Sequence, residues 1–320
     1  MLPTQASGRW STTNPPLVNF PAHAREECDR CKDLPEEEWC PRNVREVVLP
    51  APGTYWLHFD LDGIEGRFCS AYSRDDEELE GYRKKWDLHT LNACDMWKHE
   101  RPPVYTKALH TAPEAEAWRQ SWNPPWSGAA DRRRHTAKTM KYATQFGKDA
   151  KAALNAKGID KLGLSKKLIL TFAGLYLAAK TILTAYKRKK FEEYARTNES
   201  RTFRGRRRRL FGDAWTRAKE GFSHQIAGSL PDIMNDYIIQ FARDPLLGKG
   251  WLVLNAHDGL TWAMPGTNPN HPLIESPPSI NSVVKRAKEI VERDWDVEGV
   301  KMPVSADWEL VFPDGTKRRV

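Results

Sequence analysis

The chain has 320 residues, 40% of them hydrophobic and 10% aromatic, which excludes a disordered polypeptide and leaves room for one large domain or two. A formal net charge of +8 and a pI near 9.2 point to a polyanionic partner, and 13 Trp, 9 Tyr and 11 Phe set among the basic residues would supply stacking platforms beside phosphate contacts. Five cysteines, three of them crowded together, do not make a secreted disulfide framework, and the opening MLPTQASGRW lacks the apolar run of a signal peptide.

Residues 1–22 read as an irregular lead-in, and residues 23–40 hold Cys28, Cys31 and Cys40 with an acidic Glu36-Glu37-Glu38 run. Val44 to Asp60 reads as strand, turn, strand, broken at Pro52-Gly53. Helical apolar spacing covers Glu77 to Met96. A basic helix runs from Arg132 to about Lys157, and a second helix from about Ser165 to Arg196. Its apolar stretch, Leu168 to Ala185, is interrupted by Lys180 and barely reaches spanning length, so it reads as a buried helix of a soluble, cytoplasmic protein with no membrane partner. A basic hinge, Arg204 to Arg209, precedes a helix over Asp213 to Phe241 with a break near Gly228. Trp251 to Ala256 and Leu260 to Met264 read as a hairpin with an acidic tip, where Asp258-Gly259 is a natural turn pair. A helix over Ile280 to Asp294 and a strand near Trp308 to Phe312 close the chain. There is no internal repeat. The order predicts an α+β fold, an antiparallel sheet with helices that carries a mainly helical insertion.

Two acidic signatures stand out, HFDLDGIEGR over His58–Arg67 and LNAHDGL over Leu254–Leu260. Between them Arg134, Lys138, Tyr142 and Phe146 recur every four residues, which puts them along one side of a helix. Strand-end carboxylates suit hard divalent cations, and cations on a helix suit a triphosphate; template-directed nucleotidyl transfer needs both. Taken singly, each feature has an ordinary reading too. An aspartate at a strand end is a common turn residue, and a basic helix face is commonly solvated. Cys28-x2-Cys31-x8-Cys40, with His23 upstream, has the ligand types of a tetrahedral Zn²⁺ site. The fourth ligand is not fixed and no second CxxC is present, so ordinary thiols are the competing reading.

At this point the residues resemble the polymerase core of family A DNA polymerases, collinearly over nearly the whole chain. Gly8-Arg9-Trp10-Ser11-Thr12 through Pro15, Asn19 and Pro21 resembles the family's TGRLSS…PNLQNIP lead-in, and Asp60 to Arg67 its DYSQIELR motif A. Asp87-Leu88-His89-Thr90 resembles DIHT, Arg134 to Gly147 the motif B helix, Gly205 to Leu210 the GRRRYLP turn, and His257-Asp258 the HD of motif C. VKMPVSADWEL resembles the closing strand.

The resemblance implies a right-hand palm over 1–86 and 213–320, with a Cys-rich insertion at about 23–40, and helical fingers over 87–212. It implies that Asp60 and Asp258, with the Leu61 carbonyl, hold two Mg²⁺ ions, and that Asp62 takes a place usually filled by Ser. Arg134, Lys138 and His89 would hold the triphosphate of a dNTP. Tyr142 would stack near its sugar and base, Phe146 would stand beside the templating base, and Glu65 would crowd the sugar 2′ position. Primer-template DNA would meet Arg9, Asn19, His257 and the arginines of the Arg206–Arg209 run, Arg206 and Arg207 foremost; that run reads equally as a solvated charge cluster or a localisation signal. Two departures stand out: Gly259 replaces the family's Glu after HD, and Ala227 replaces the Gln before Gly228. Gly259 keeps alive an RNA-polymerase or primase-like reading, which Glu65 opposes, and a decayed, non-catalytic DNA-binding subunit is the other alternative. A start just before Gly8 leads to the expectation of a split polymerase, with a separate chain supplying thumb or 3′–5′ exonuclease; the divergence of the motifs points to a phage.

Overall fold

In β1 (Thr54–Leu61) alternate residues are buried: Tyr55, Leu57, Phe59 and Leu61 are each at most 2% exposed. The computed structural model describes residues 49–97, 113–122, 125–127, 131–145, 150–155, 159, 162–266 and 279–320. After β1 come α1 (Ile64–Ser73), α2 (Asp76–Arg83), α3 (Leu88–Met96), α4 (Pro113–Gln120), α5 (Arg132–Gln145), a 3-10 turn (Ala150–Asn155), α6 (Lys166–Ala179) and α7 (Thr181–Arg196). Then follow β2 (Glu199–Arg201), β3 (Arg207–Arg209), α8 (Ala214–Ala227), α9 (Ser229–Arg243), β4 (Trp251–Ala256), β5 (Gly259–Pro265), α10 (Ile280–Val291), β6 (Trp295–Val297), β7 (Val300–Met302), β8 (Ala306–Val311) and β9 (Lys317–Arg319).

The chain divides into two compact units. The first takes the chain up to Ile64, Leu230–Arg293 and Val304–Val320. Its centre is a five-stranded antiparallel sheet in the order β4-β5-β1-β8-β9. On α9, Ile233, Met234, Tyr237 and Phe241 recur at helical spacing and are at most 1% exposed. Tyr237, Phe241 and Trp308 surround the Phe59 ring at centroid distances of 5.9, 6.2 and 5.0 Å. Truncating Phe59 to Ala would cost about 3–5 kcal/mol in a core of this kind. α10 begins at Ser279, whose side chain accepts from Ser282 N–H, and Val291 at its end accepts from the Tyr237 hydroxyl at 2.9 Å.

The second unit takes Glu65–Ser229 and Asp294–Pro303. It is mainly helical, with the small hairpins β2–β3 and β6–β7. Its core gathers Met140 of α5, Tyr176 of α6 and three tryptophans, Trp118, Trp122 and Trp126. The tryptophan rings pack at 4.9–5.8 Å, and the Arg133 guanidinium lies over two of them. These tryptophans are core residues, not the nucleic-acid stacking platforms that composition leads one to expect, because their rings find apolar partners inside the unit.

Three helices expected to be continuous are broken. The segment over Glu77 to Met96 splits where Lys85 takes a left-handed φ of 55° and Asp87 caps α3 by accepting from His89 and Thr90 N–H. Within the described residues the basic helix runs to Gln145, and Ala150–Asn155 is a 3-10 turn and not a continuation of it. The long apolar helix bends by 97° at Lys180, which leaves helical geometry at φ −96°, ψ 60°. No single described helix is long and apolar enough to cross a membrane; α6 and α7 reach that test only as this bent pair. The expected break at Gly228 is present. A Cβ there would stand 2.3 Å from the His224 carbonyl oxygen, so only glycine fits between α8 and α9. The basic hinge is a hairpin, β2 pairing β3 with Ser200 opposite Arg208.

Candidate active site

Both signature aspartates lie at one end of the first unit's sheet. Asp60 is the next-to-last residue of β1, on the face opposite Phe59. Asp258 is not at a strand end, and Asp258-Gly259 is not the turn centre. The turn is built on His257 and Asp258, and Gly259 already opens β5, paired with both Ala256 and Asp60. His257 carries the positive φ, 57°, a conformation that costs a non-glycine residue about 1–2 kcal/mol. The Leu61 N–H donates to the Asp258 carbonyl at 3.0 Å and ties the turn to the end of β1. Asp62 follows, exposed, its N–H bound to the Ser305 carbonyl at 2.9 Å and its carboxylate accepting from the Ser305 hydroxyl at 3.3 Å. Gly63 turns the chain into α1 with a φ of 57°.

The Asp60 carboxyl is pushed up to about 6, first by the surrounding protein, which strips part of its hydration although it remains open to water. Next in order come the Asp258 charge and a hydrogen bond between the two carboxyls, then the charges of Asp307, its cross-strand partner, and Asp62. A carboxylate whose proton affinity is raised by neighbouring carboxylates is one that a divalent cation relieves. Among the described residues no three His, Cys, Asp or Glu side chains converge on one point. Two carboxylates are nevertheless the number Mg²⁺ commonly takes from a protein, the remainder being water and substrate oxygens. The donor set fits that ion. Gly259 keeps this corner open: a Cβ would stand 3.3 Å from Asp60 Oδ1 and 3.3 Å from the His58 ring. His58 itself is hydrogen-bonded to the Thr261 hydroxyl at 3.0 Å.

In the second unit α3 and α5 bring the other set together. Arg134 Nε donates to Asp87 Oδ2 at 2.5 Å, and the His89 ring lies 6.0 Å from that of Tyr142. Tyr142 is 50% exposed, and Arg134 and Lys138 are half-buried along the same side of α5. Burial first, then the Lys141 charge, pushes the His89 imidazole down to about 3; Asp87 opposes this, and Arg134 and Lys138 add to it. At neutral pH it is therefore an uncharged N–H donor, not a cation. Asp87 is held below the usual carboxylate range. Burial opposes this, but the Arg134 hydrogen bond and charge prevail.

One position before Tyr142, Lys141 turns inward. It donates to Glu78 Oε1 at 3.0 Å and to the Tyr82 hydroxyl at 3.1 Å, and Ser70 donates to Glu78 Oε2 at 2.8 Å. Arg67 is 2% exposed, with its guanidinium 4.3 Å from the Tyr82 ring centroid and a bond to the Pro303 carbonyl. Sequence reasoning missed Glu78, Lys141 and the partnership of Asp87 with Arg134. The capping position of Asp87, two residues before His89, was the available signal for the last.

The remaining expected residues fall as follows. Glu65 is half-buried in the first turn of α1. Arg207 is exposed on β3, whereas Arg206 is half-buried and donates to the Gly228 carbonyl. Arg9, Asn19, His23, Cys28, Cys31, Cys40 and Phe146 lie outside the described residues.

An antiparallel sheet ending in paired carboxylates, with a mainly helical unit inserted between its strands in sequence, defines the class: this is the fold of a polymerase domain. No family model matches the sequence. The chain is similar to DNA polymerase I of Bacillus subtilis (strain 168), 24% identical over 272 residues, covering 81% of this chain and 26% of that protein. Among solved structures it is similar to the POL domain of Pol1 from M. smegmatis in complex with DNA primer-template and dNTP. The TM-score is 0.64 at 19% identity, covering 95% of this chain and 46% of that one. The chain thus spans about a quarter of the curated relative and about half of the solved one.

Proposed function

We propose that this chain is a template-directed DNA polymerase core that adds dNTPs to a primer 3′-hydroxyl. The observation that carries the reading is the meeting of Asp60 and Asp258, distant in sequence, at one corner of the sheet, where the Leu61 N–H binds the Asp258 carbonyl at 3.0 Å and the Asp258 charge acts on the Asp60 carboxyl. The similarity to a DNA polymerase I and to a polymerase domain solved with primer-template and dNTP supports it.

Asp60 and Asp258, with the Leu61 carbonyl, would hold Mg²⁺. When bound, two such ions lower the pKa of the attacking hydroxyl and neutralise the leaving pyrophosphate. The protein's own part is positioning and charge. Lys138 offers a point charge to phosphate, and Arg134 offers a guanidinium whose orientation Asp87 fixes. Neutral His89 donates a hydrogen bond without adding repulsion among the cations. Tyr142 presents an exposed ring beside it for the sugar and base. Glu65 crowds the sugar 2′ position and favours deoxynucleotides. We assign the palm to 1–86 and 213–320, the fingers to 87–212, and primer-template contacts to Arg207 and His257. The test is addition of a single nucleotide to a primed template carrying each base in turn. Incorporation must follow Watson–Crick pairing; addition independent of the template base would overturn the reading.

A further inference from the structure

Helices α6 and α7 carry a face that nucleotide addition does not use. On the inner side of α6, Ile169, Ala173 and Tyr176 are buried in the core of the second unit. The outer side of such a helix ordinarily carries polar residues. Here it is as apolar as the inner one. Leu168, Thr171, Leu175 and Ala178 follow one another at helical spacing and are all exposed, the two leucines by 44% and 42%. The Thr171 hydroxyl donates to the Lys167 carbonyl at 3.0 Å, so the polar group in this row is satisfied within the helix. Past the bend at Lys180 the row resumes on α7 with Ile182, 48% exposed, and Ala185. Together the two helices reach the apolarity of a membrane span, although neither does alone. Charge follows the same pattern. From residue 161 to residue 191 the sequence holds no Asp or Glu. Exposed Lys166 and Lys167 open α6, and exposed Arg188 and Lys189 follow the apolar row on α7. Lys187 and Lys190 are engaged elsewhere, with the Thr144 carbonyl and with Glu193.

A single exposed leucine is ordinary on a protein surface. A row of aliphatic side chains with cations at both ends and no carboxylate among them is less so. Nucleic acid offers phosphates to the cations, but its bases stack on aromatic rings and gain little from leucine or isoleucine. A partner helix is held in a groove, whereas this row stands on the outer side of a helix. An anionic bilayer suits both features. Its acyl chains receive the aliphatic side chains, and lysine and arginine extend to the phosphate headgroups with their stems along apolar surface. We propose that the outer side of α6, with the start of α7, is a docking surface for an anionic phospholipid bilayer, on which the protein lies without crossing it. Leu168, Leu175 and Ile182 enter the boundary between headgroups and acyl chains, and Lys166, Lys167, Arg188 and Lys189 hold the headgroups.

The surface is tested by co-sedimentation with vesicles of phosphatidylcholine alone and of phosphatidylcholine with about a quarter phosphatidylglycerol, in EDTA and without DNA or nucleotides. Measured so, binding reports on this face whether or not the chain extends primers. The wild type should bind the phosphatidylglycerol vesicles at least about tenfold more tightly than the neutral ones. Leu175→Gln should weaken that binding about tenfold. Leu175→Trp should bind at least as tightly as wild type, a result that misfolding does not produce. Lys166→Gln should weaken binding about fivefold, whereas Lys285→Gln, the same loss of charge on exposed α10, should stay within about twofold. The proposal is overturned if Leu175→Gln binds as tightly as wild type, or if Lys285→Gln loses as much as Lys166→Gln, since binding then reports net charge alone. It is also overturned if the wild type does not bind the phosphatidylglycerol vesicles, in which case the face is a surface for a partner protein.

Discussion

Replacing Glu78 with Gln measures how firmly the candidate nucleotide helix is anchored. Lys141 sits on α5 between Lys138 and Tyr142, and its ammonium is buried against Glu78, with side chains 9% and 3% exposed. Burial alone would raise the Glu78 carboxyl. The charges of Lys141 and Lys180 and the hydrogen bonds from Lys141 and Ser70 outweigh it and hold the group at about 2, against an ordinary 4.5. A folded pKa lowered by about 2.5 units contributes about 3 kcal/mol of stability, fully present above pH 4.5 and lost as the pH falls toward 2. That figure agrees with the about 3–5 kcal/mol lost when one partner of a buried pair is removed. Glu78→Gln keeps the size and the Ser70 bond but leaves the Lys141 charge uncompensated. Urea unfolding at pH 7 should show a loss of about 3 kcal/mol, and a clearly smaller one at pH 3, where Glu78 of the unfolded wild-type chain already takes up a proton. A loss below about 1 kcal/mol at pH 7, or one that does not change between the two pH values, would refute the reasoning.

Other consequences follow from the same geometry. Asp258→Asn removes the charge facing Asp60, so without divalent ions the variant should unfold at a slightly higher temperature than wild type, solvent screening limiting the gain to about 1 kcal/mol. Millimolar Mg²⁺ should raise the wild-type melting temperature and leave that of the variant nearly unmoved, as read by scanning calorimetry. Gly259→Glu adds a carboxylate whose Cβ would stand 3.3 Å from Asp60 Oδ1; it should lower metal-free stability by about 1 kcal/mol and restore it with Mg²⁺. Glu65→Ala should lower the preference for dNTP over rNTP at least about tenfold in single-nucleotide addition. An unchanged ratio would remove Glu65 from sugar selection.

How far the sequence could be read depended on whether the signal was local. The β1 alternation, the β4–β5 hairpin and the break at Gly228 are set by neighbours in sequence, and each was legible. Asp60 and Asp258 were recognisable as a pair only because their flanking residues match an ordered set; periodicity alone does not bring strands from opposite ends of the chain together. The bend at Lys180 was not legible, because the apolar run continues through it and the break is set by what each half packs against. Lys141 looked like one more cation on a basic helix, since its partner Glu78 lies on another helix and only tertiary structure turns the side chain inward. The same limit applies to the tryptophans. Composition cannot tell a ring offered to a base from one that Arg133 covers in a core.

Primer extension on a primed single-stranded template, with Mg²⁺ and all four dNTPs, bears most directly on the central claim. Asp60→Asn and Asp258→Asn should each slow single-turnover incorporation at least about a hundredfold, with primer-template affinity changed little. If both variants extend the primer at the wild-type rate, the paired carboxylates are not the catalytic centre and the polymerase reading of this chain fails.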